Sequence, residues 1–154
     1  KKNKKILKKL KKKFPNYFYS LPIDKKEVSQ VILNNKNNLK KIIEIVHLEI
    51  RKKMKIFLKK NRDKKIVILD IPLLLENKIN NKKDVLVFIQ TKKSDVLKKL
   101  RKRKNFNKKL IDKFSNIQLP LDYKKKKSQF IIKNDFTKRT VLKYVRHILE
   151  RISK

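Results

Sequence analysis

The chain contains no glycine, no cysteine, no alanine and no tryptophan in 154 residues. Glycine is the most informative absence, because average usage would place about ten in a chain of this length. It lets a backbone take positive φ and lets successive amides close around a phosphate. Without it the 154 residues hold no glycine-rich phosphate loop of any type. Asparagine must then serve at turns and helix ends. Without cysteine there are no disulfides, no thiolate chemistry and no cysteine-based zinc site, which fits a reducing, cytoplasmic setting. No apolar run nears the roughly 20 residues that cross a bilayer, and the lysine-rich start has no signal-peptide core. His47 and His147 stand apart. No metal-binding cluster, and no Ser, His and Asp set, can be assembled from the sequence.

What abounds is positive charge. The 48 Lys and Arg face 13 Asp and Glu, a formal charge of +35. Such a balance implies a polyanionic partner: nucleic acid, an anionic membrane or a phosphorylated small molecule. Yet Lys, Asn and Ile dominate as AT-rich codons would favour. Much of the charge therefore reads equally well as drift over solvated helix faces, and charge alone argues weakly for nucleic acid. The length is that of one ordinary domain, enough to bury a core.

Apolar spacing predicts a helix within 1–13, then a connector with two prolines (14–23). Asp24 caps a helix over 25–34, with Glu27 at the capping-box position. A long amphipathic helix comes next over 38–60, carrying Leu39, Ile42, Ile43, Val46, Ile50, Met54 and Phe57. The pattern then changes. The continuous runs IVILD (66–70), DVLVFIQ (84–90) and QFIIK (129–133) predict strands buried on both faces. Between and after them, helices are expected over 93–103, 107–117 and 137–153, with a basic stretch ending in KKKK (124–127). Strands alternating with helices mean a parallel α/β sheet.

Ligands of open parallel sheets sit beyond the strands' carboxyl ends, where Asp70, Gln90 and Asn134 fall. On spacing alone Asp70 caps a following helix, with Pro72 near its first turn. The alternative is a site role: holding a metal-bound water, orienting a hydroxyl or meeting a basic substrate group. His47, with Glu49 and Arg51 nearby, reads first as a structural or surface histidine. Most of the cations in 98–109 read as solvated. Arg103 differs, because its planar fork suits phosphate oxygens, and at helical spacing Lys99 lies one turn before it.

Several segments together resemble the dephospho-CoA kinase family. Pro72-Leu73-Leu74-Leu75-Glu76-Asn77 resembles the family's PLLFEN-type segment after a strand. Asp24-Lys25 with Val28 resembles its DR…L helix start, and His47-Leu48 its His-Pro. Arg103, Gln118 and Ile131-Ile132-Lys133-Asn134 resemble its basic lid, a later Gln and a VIDN strand. These pieces run in order from about residue 23 to 134.

The resemblance implies a three-layer P-loop-kinase-like α/β fold with its first strand missing. A helical acceptor-binding subdomain would cover 1–60, an α/β core 61–98 and 128–154, and a basic lid 99–127. It implies phosphoryl transfer from ATP, with Mg²⁺, to the 3′-hydroxyl of dephospho-CoA. Arg103 would act from the lid, and Lys99, Gln118 and Asn134 would line the nucleotide side. Asp24, Lys25, His47, Asp70, Leu73, Leu74 and Glu76 would shape the acceptor site. The family's glycine-rich loop and the aspartate after it have no match here, and Lys1–Lys13 fits the family's segment just beyond that aspartate. Leu48 replaces Pro, Lys25 replaces Arg, and Phe114 stands where Arg is common. The 154 residues alone are therefore expected to be inactive. The competing classes are a non-catalytic basic protein that binds RNA or DNA, and another small-molecule kinase of this superfamily.

Overall fold

The computed structural model of the chain describes residues 4–153. Among them are seven helices and a two-stranded parallel sheet, an α/β arrangement. They form two compact units. One comprises the described residues up to Pro72 together with Lys108–Asn116; the other comprises Leu73–Asn107 and the described residues from Ile117 on.

The helical unit holds most of the core. Helix α1 (Lys4–Lys13) buries Leu7 and Leu10 and ends in three lysines, where cations favour the helix dipole. Residues 1–3 of the expected helix lie outside the described residues. Helix α2 (Lys25–Asn34) begins as its sequence dictates, with the Asp24 side chain accepting from the Lys26 amide at 2.9 Å. Helix α3 (Asn38–Lys60) starts soon after it and packs on both α1 and α2. Phe14, Phe18, Val31, Ile32, Leu39 and Ile42 complete the apolar centre. The Asn38 amide group donates to the Val31 carbonyl at 2.9 Å, which satisfies a polar side chain inside that centre. Asparagine does close α2 and α3, as Asn35 and Asn61.

The expected strand at 66–70 does not form: residues 66–71 carry neither strand nor helix, and Ile68 stands 82% exposed. A β-branched run becomes a strand only when a neighbour supplies the ladder. Among the described residues the sheet consists of β1 (Val87–Gln90) and β2 (Phe130–Lys133) alone.

In the second unit β1 and β2 pair parallel, from Val87 opposite Phe130 to Gln90 opposite Lys133. The Leu86 amide donates to the Gln129 side chain at 2.7 Å, and the Gln129 amide returns a bond to the Leu86 carbonyl at 3.0 Å. Between the strands the chain runs through α4 (Lys93–Arg101), then α5 (Lys108–Ser115), which belongs to the helical unit, and then α6 (Leu121–Lys127). Helix α6 is the basic KKKK stretch, for which apolar periodicity gave no signal. Helix α7 (Lys138–Ile152) packs against β2, burying Ile132 and Ile148. The expectation of a sheet covered on both faces is corrected here. Val85, Val87 and Ile89 are exposed, Ile89 by 51%, while the main helix packing on the sheet is α7 against β2.

Left-handed backbone falls on Leu73 (φ 57), Lys78 (φ 49) and Phe136 (φ 64), not on asparagine. A chain without glycine must put a Cβ at such positions, at a cost of roughly 1–2 kcal/mol each. Two of the three lie in the same turn, between the end of the 66–72 segment and Ile79.

Candidate functional site

At the carboxyl ends of the two strands the backbone is locked by short bonds. The Asn134 amide donates to the Gln90 carbonyl at 2.8 Å, and the Asn134 side-chain oxygen accepts from the Phe136 amide at 2.8 Å. This loop carries the chain into α7, where Thr137 is the N-cap. Asp135 accepts from the Thr137 amide (2.9 Å), the Thr137 hydroxyl (2.8 Å) and the Thr140 hydroxyl (2.8 Å). Those bonds, the Thr137 amide first, hold its carboxyl below the ordinary value. Left-handed Phe136 presents its ring to Lys99, whose ammonium lies 4.3 Å from the ring centroid. Two residues expected on the nucleotide side, Lys99 and Asn134, thus meet through Phe136, which the sequence did not single out.

The PLLLEN segment is a run of turns over 72–78, not a helix, so Asp70 caps nothing and is exposed. The Leu73 carbonyl accepts from the Asn77 amide (3.1 Å) and its side chain (2.9 Å), and the Leu74 carbonyl accepts from the Ile79 amide (3.1 Å). This coil holds Glu76 inward. Its Oε1 accepts from the Leu119 amide at 3.0 Å and pairs with the Lys124 ammonium at 2.6 Å, with side-chain exposures of 10% for Glu76 and 19% for Lys124. Burial pushes the Glu76 carboxyl up. The Lys124 bond, its own amide and the Leu119 amide outweigh that, and the net displacement is downward. Beside it is a cavity of about 340 Å³ lined by Leu75, Lys78, Asn80, Leu86, Tyr123 and Lys127, with Glu76 and Leu119.

Leu119 is the residue after Gln118, so the turn and the expected nucleotide-side glutamine are joined by one backbone bond. Gln118 itself is exposed. Arg103 is exposed too, and α4 ends at Arg101. The helical spacing expected between Lys99 and Arg103 is therefore broken. Arg103 sits in the turn beyond the helix, its amide on the Leu100 carbonyl and its carbonyl accepting from Phe106.

Asp24, Lys25, His47 and Asp70 fall in the helical unit. Asp24 and Lys25 are exposed at the start of α2. Glu27 does not mainly reach back to the cap: its Oε1 takes the Tyr19 and Ser20 amides, both at 3.0 Å. Burial raises its carboxyl, and these bonds bring it below the ordinary value. Glu49, buried on α3, pairs with Lys9 of α1 at 2.7 Å. The Lys113 ammonium donates to the Ile32 carbonyl at 2.7 Å, spending that cation on the carbonyl end of α2. None of these long-range pairs had a signal in the sequence, where one lysine looks like the next.

His47 is 8% exposed, and its Nδ1 is buried without a hydrogen-bond partner. Burial first, and the Arg51 charge second, press its pKa below 6.5. Protonation therefore favours the unfolded chain. Stability is full above the unfolded value and drains as pH falls below it. Urea midpoints at pH 7.5 and 5.5 should show wild type losing more stability on acidification than His47→Leu. Equal losses would show that His47 takes up its proton as freely folded as unfolded.

Among the described residues no three His, Asp or Glu groups gather where they could hold a metal ion. The Mg²⁺ implied by the resemblance finds no such donor set among the described residues. No helix among the described residues is long and apolar enough to cross a membrane.

Comparison with known proteins agrees with the residue pattern. The family model CoaE, dephospho-CoA kinase, matches residues 1–139. A dephospho-CoA kinase of Wolbachia sp. subsp. Brugia malayi (strain TRS) is 31% identical over 153 residues, covering 98% of this chain and 78% of that protein. The dephospho-CoA kinase of Wolbachia pipientis wMel is 30% identical with the same coverage. That of Fusobacterium nucleatum subsp. nucleatum is 28% identical over 130 residues, 84% of this chain and 67% of its own. The chain belongs to the dephospho-CoA kinase family, whose members are kinases and so transferases.

Proposed function

We propose that the chain forms the acceptor-binding and lid parts of a kinase that moves the γ-phosphoryl of ATP to the 3′-hydroxyl of dephospho-CoA, the last step of coenzyme A synthesis. The family match across residues 1–139 carries this reading. The geometry supports it where the PLLLEN turn, through Glu76, is bonded to the residue after Gln118. In this reading the core belongs to a three-layer P-loop-kinase-like sheet, residues 1–60 form the acceptor-side helices and 99–127 the lid. Asp24, Lys25, His47, Asp70, Leu73, Leu74 and Glu76 shape the acceptor site. Lys99, Gln118 and Asn134 serve the nucleotide, with Asn134 near the adenine. The exposure of Arg103, in a turn rather than a helix, leaves its guanidinium able to reach phosphate oxygens and stabilise transferring charge.

The test uses these residues joined behind a strand, a glycine-rich phosphate loop and its aspartate. Phosphate from ATP should appear on the ribose 3′ position of dephospho-CoA by ³¹P NMR. Arg103→Ala should lower turnover by about 10³ or more, and Lys126→Ala should change it little. Equal effects of the two would sink the lid assignment; transfer to other acceptors alone would sink the substrate.

A further inference from the structure

Of the four consecutive lysines 124–127, one is set apart by geometry. Lys124 is mostly buried and bonded to Glu76 at 2.6 Å, while Lys125, Lys126 and Lys127 are exposed. The pair joins α6 to a turn 48 positions earlier in the chain (124 − 76). The Leu119 amide donates to the same Oε1 at 3.0 Å, and neither bond uses Oε2. A carboxylate accepts through both oxygens. Two donors on Oε1 therefore fix the carboxyl plane, the Glu76 amide adds its own bond to the carboxylate, and neither the Lys124 nor the Leu119 bond uses the other oxygen.

The surroundings state what would meet that carboxylate. The adjoining cavity of about 340 Å³ is large enough for part of a small molecule. Its charged and titratable lining is Lys78 from the same turn and Lys127 and Tyr123 from α6, with Lys127 5.8 Å from the Tyr123 ring centroid. Leu75, Leu86 and Leu119 give it apolar walls. One fixed acceptor, two ammonium groups and a flat aromatic suit an anionic molecule bearing a planar ring and a hydroxyl or amino donor. The nucleoside end of dephospho-CoA has that chemistry.

We propose that Lys124 is a positioning residue for acceptor recognition: it holds Glu76 so that the carboxylate receives a hydroxyl or amino donor from the nucleoside end of the acceptor in this cavity. The proposal rests on the reading of the 73–76 turn as part of the acceptor site. Lys124 acts through Glu76 and makes no contact with the ligand. A long ammonium stem that packs and pairs in this way is replaceable by another cation of similar reach, but not by an isosteric apolar chain.

Dephospho-CoA is titrated calorimetrically into the full chain and its variants at pH 5 to 8, with melting temperatures recorded alongside. Lys124→Met should weaken binding at least tenfold at pH 7. Its acid limb should move to higher pH, because Glu76 keeps its burial and loses its main compensating partner. Lys124→Arg should recover most of the affinity, and Lys126→Met should match wild type. In the Glu76→Gln background, Lys124→Met should add nothing further. If Glu76→Gln weakens binding while Lys124→Met does not, the positioning role is wrong and the acceptor reading stands. If Lys124→Met weakens binding equally with and without Glu76, Lys124 does not act through it. If Glu76→Gln binds as wild type, or wild type does not bind at all, the acceptor reading of the turn fails and takes the proposal with it. A Lys124→Met protein that melts far below wild type is replaced by the double variant, which buries no unpaired charge.

Discussion

Assayed with Mg·ATP and dephospho-CoA, the 154 residues by themselves are expected to give no turnover above the uncatalysed reaction. Phosphoryl transfer asks little covalent chemistry of a protein and a great deal of electrostatic stabilisation. In kinases of this class most of it comes from a cradle of backbone amides, a lysine and a hydroxyl on one loop. Such a cradle needs amides that point inward together, with no Cβ between them and the phosphate. The sequence has no glycine to supply that. Among the described residues, left-handed backbone falls on Leu73, Lys78 and Phe136, each of which carries a bulky side chain. No two of them are adjacent in sequence, so they build no nest of consecutive amides. Some of the cations are already committed elsewhere. Lys124 is bonded to Glu76, Lys9 to Glu49, and Lys113 to the end of α2. Joined behind a segment with a glycine-rich loop and its aspartate, the same residues should turn over at ordinary kinase rates, roughly 1–100 s⁻¹. A coupled assay on both proteins decides the matter, and robust turnover by the 154 residues alone would overturn the argument.

Helices α2 and α3 were legible because each carries its own instructions. Asp24 caps α2, asparagines close α2 and α3, and apolar residues three or four apart give each its buried side. The spans 25–34 and 38–60 match the observed helices residue for residue. Strands carry only half of their instructions. IVILD has the composition of a buried strand, but a ladder needs a neighbour, and residues 66–71 do not pair. FIIK has the same composition and is a strand because VFIQ lies beside it. Helix α6 was missed for the opposite reason. Lysine tolerates helix well, yet four lysines in a row present no apolar side to read.

The candidate site divides along the same line. Residues placed by local rules were found where expected: Asn134 at a strand end, Asp24 at a cap, Glu76 in a turn beyond the 66–70 run. What holds them in place is long-range. The Leu119 amide and Lys124 on Glu76, and the Lys99 ammonium over Phe136, depend on the chain returning from dozens of residues away. Sequence spacing cannot choose Lys124 among its neighbours; only the fold can.

The largest expected loss of stability comes from Phe18→Ala. Phe18 is 0% exposed, although it lies in the irregular connector between α1 and α2, where no secondary-structure rule would have placed a core residue. Its ring stands 6.1 Å from that of Phe14 at 60°, the tilted geometry that aromatic pairs favour. Leu10 and Val31, also fully buried, belong to the same apolar centre. Removing a buried ring costs roughly 3–5 kcal/mol, because the cavity it leaves collapses only in part. A small domain has only about 5–15 kcal/mol in all, so the variant should melt tens of degrees lower or fail to fold at 37 °C. Phe57→Ala removes the same side chain from α3, where it is 46% exposed, and should cost about 1 kcal/mol or less. Circular dichroism melts of both compare burial at constant chemistry, and equal losses would show that the connector does not depend on Phe18. Phe18→Leu, which keeps most of the volume, should fall between them. If Asp24 serves the acceptor as proposed, the effect should reach ligand binding as well. Tyr19 and Ser20, the two residues after Phe18, give their amides to Glu27, and the Ser20 hydroxyl accepts from the amide of the cap Asp24 at 3.0 Å. With the ring gone those bonds lose their anchor, so dephospho-CoA affinity should fall in Phe18→Leu even at temperatures where the chain remains folded.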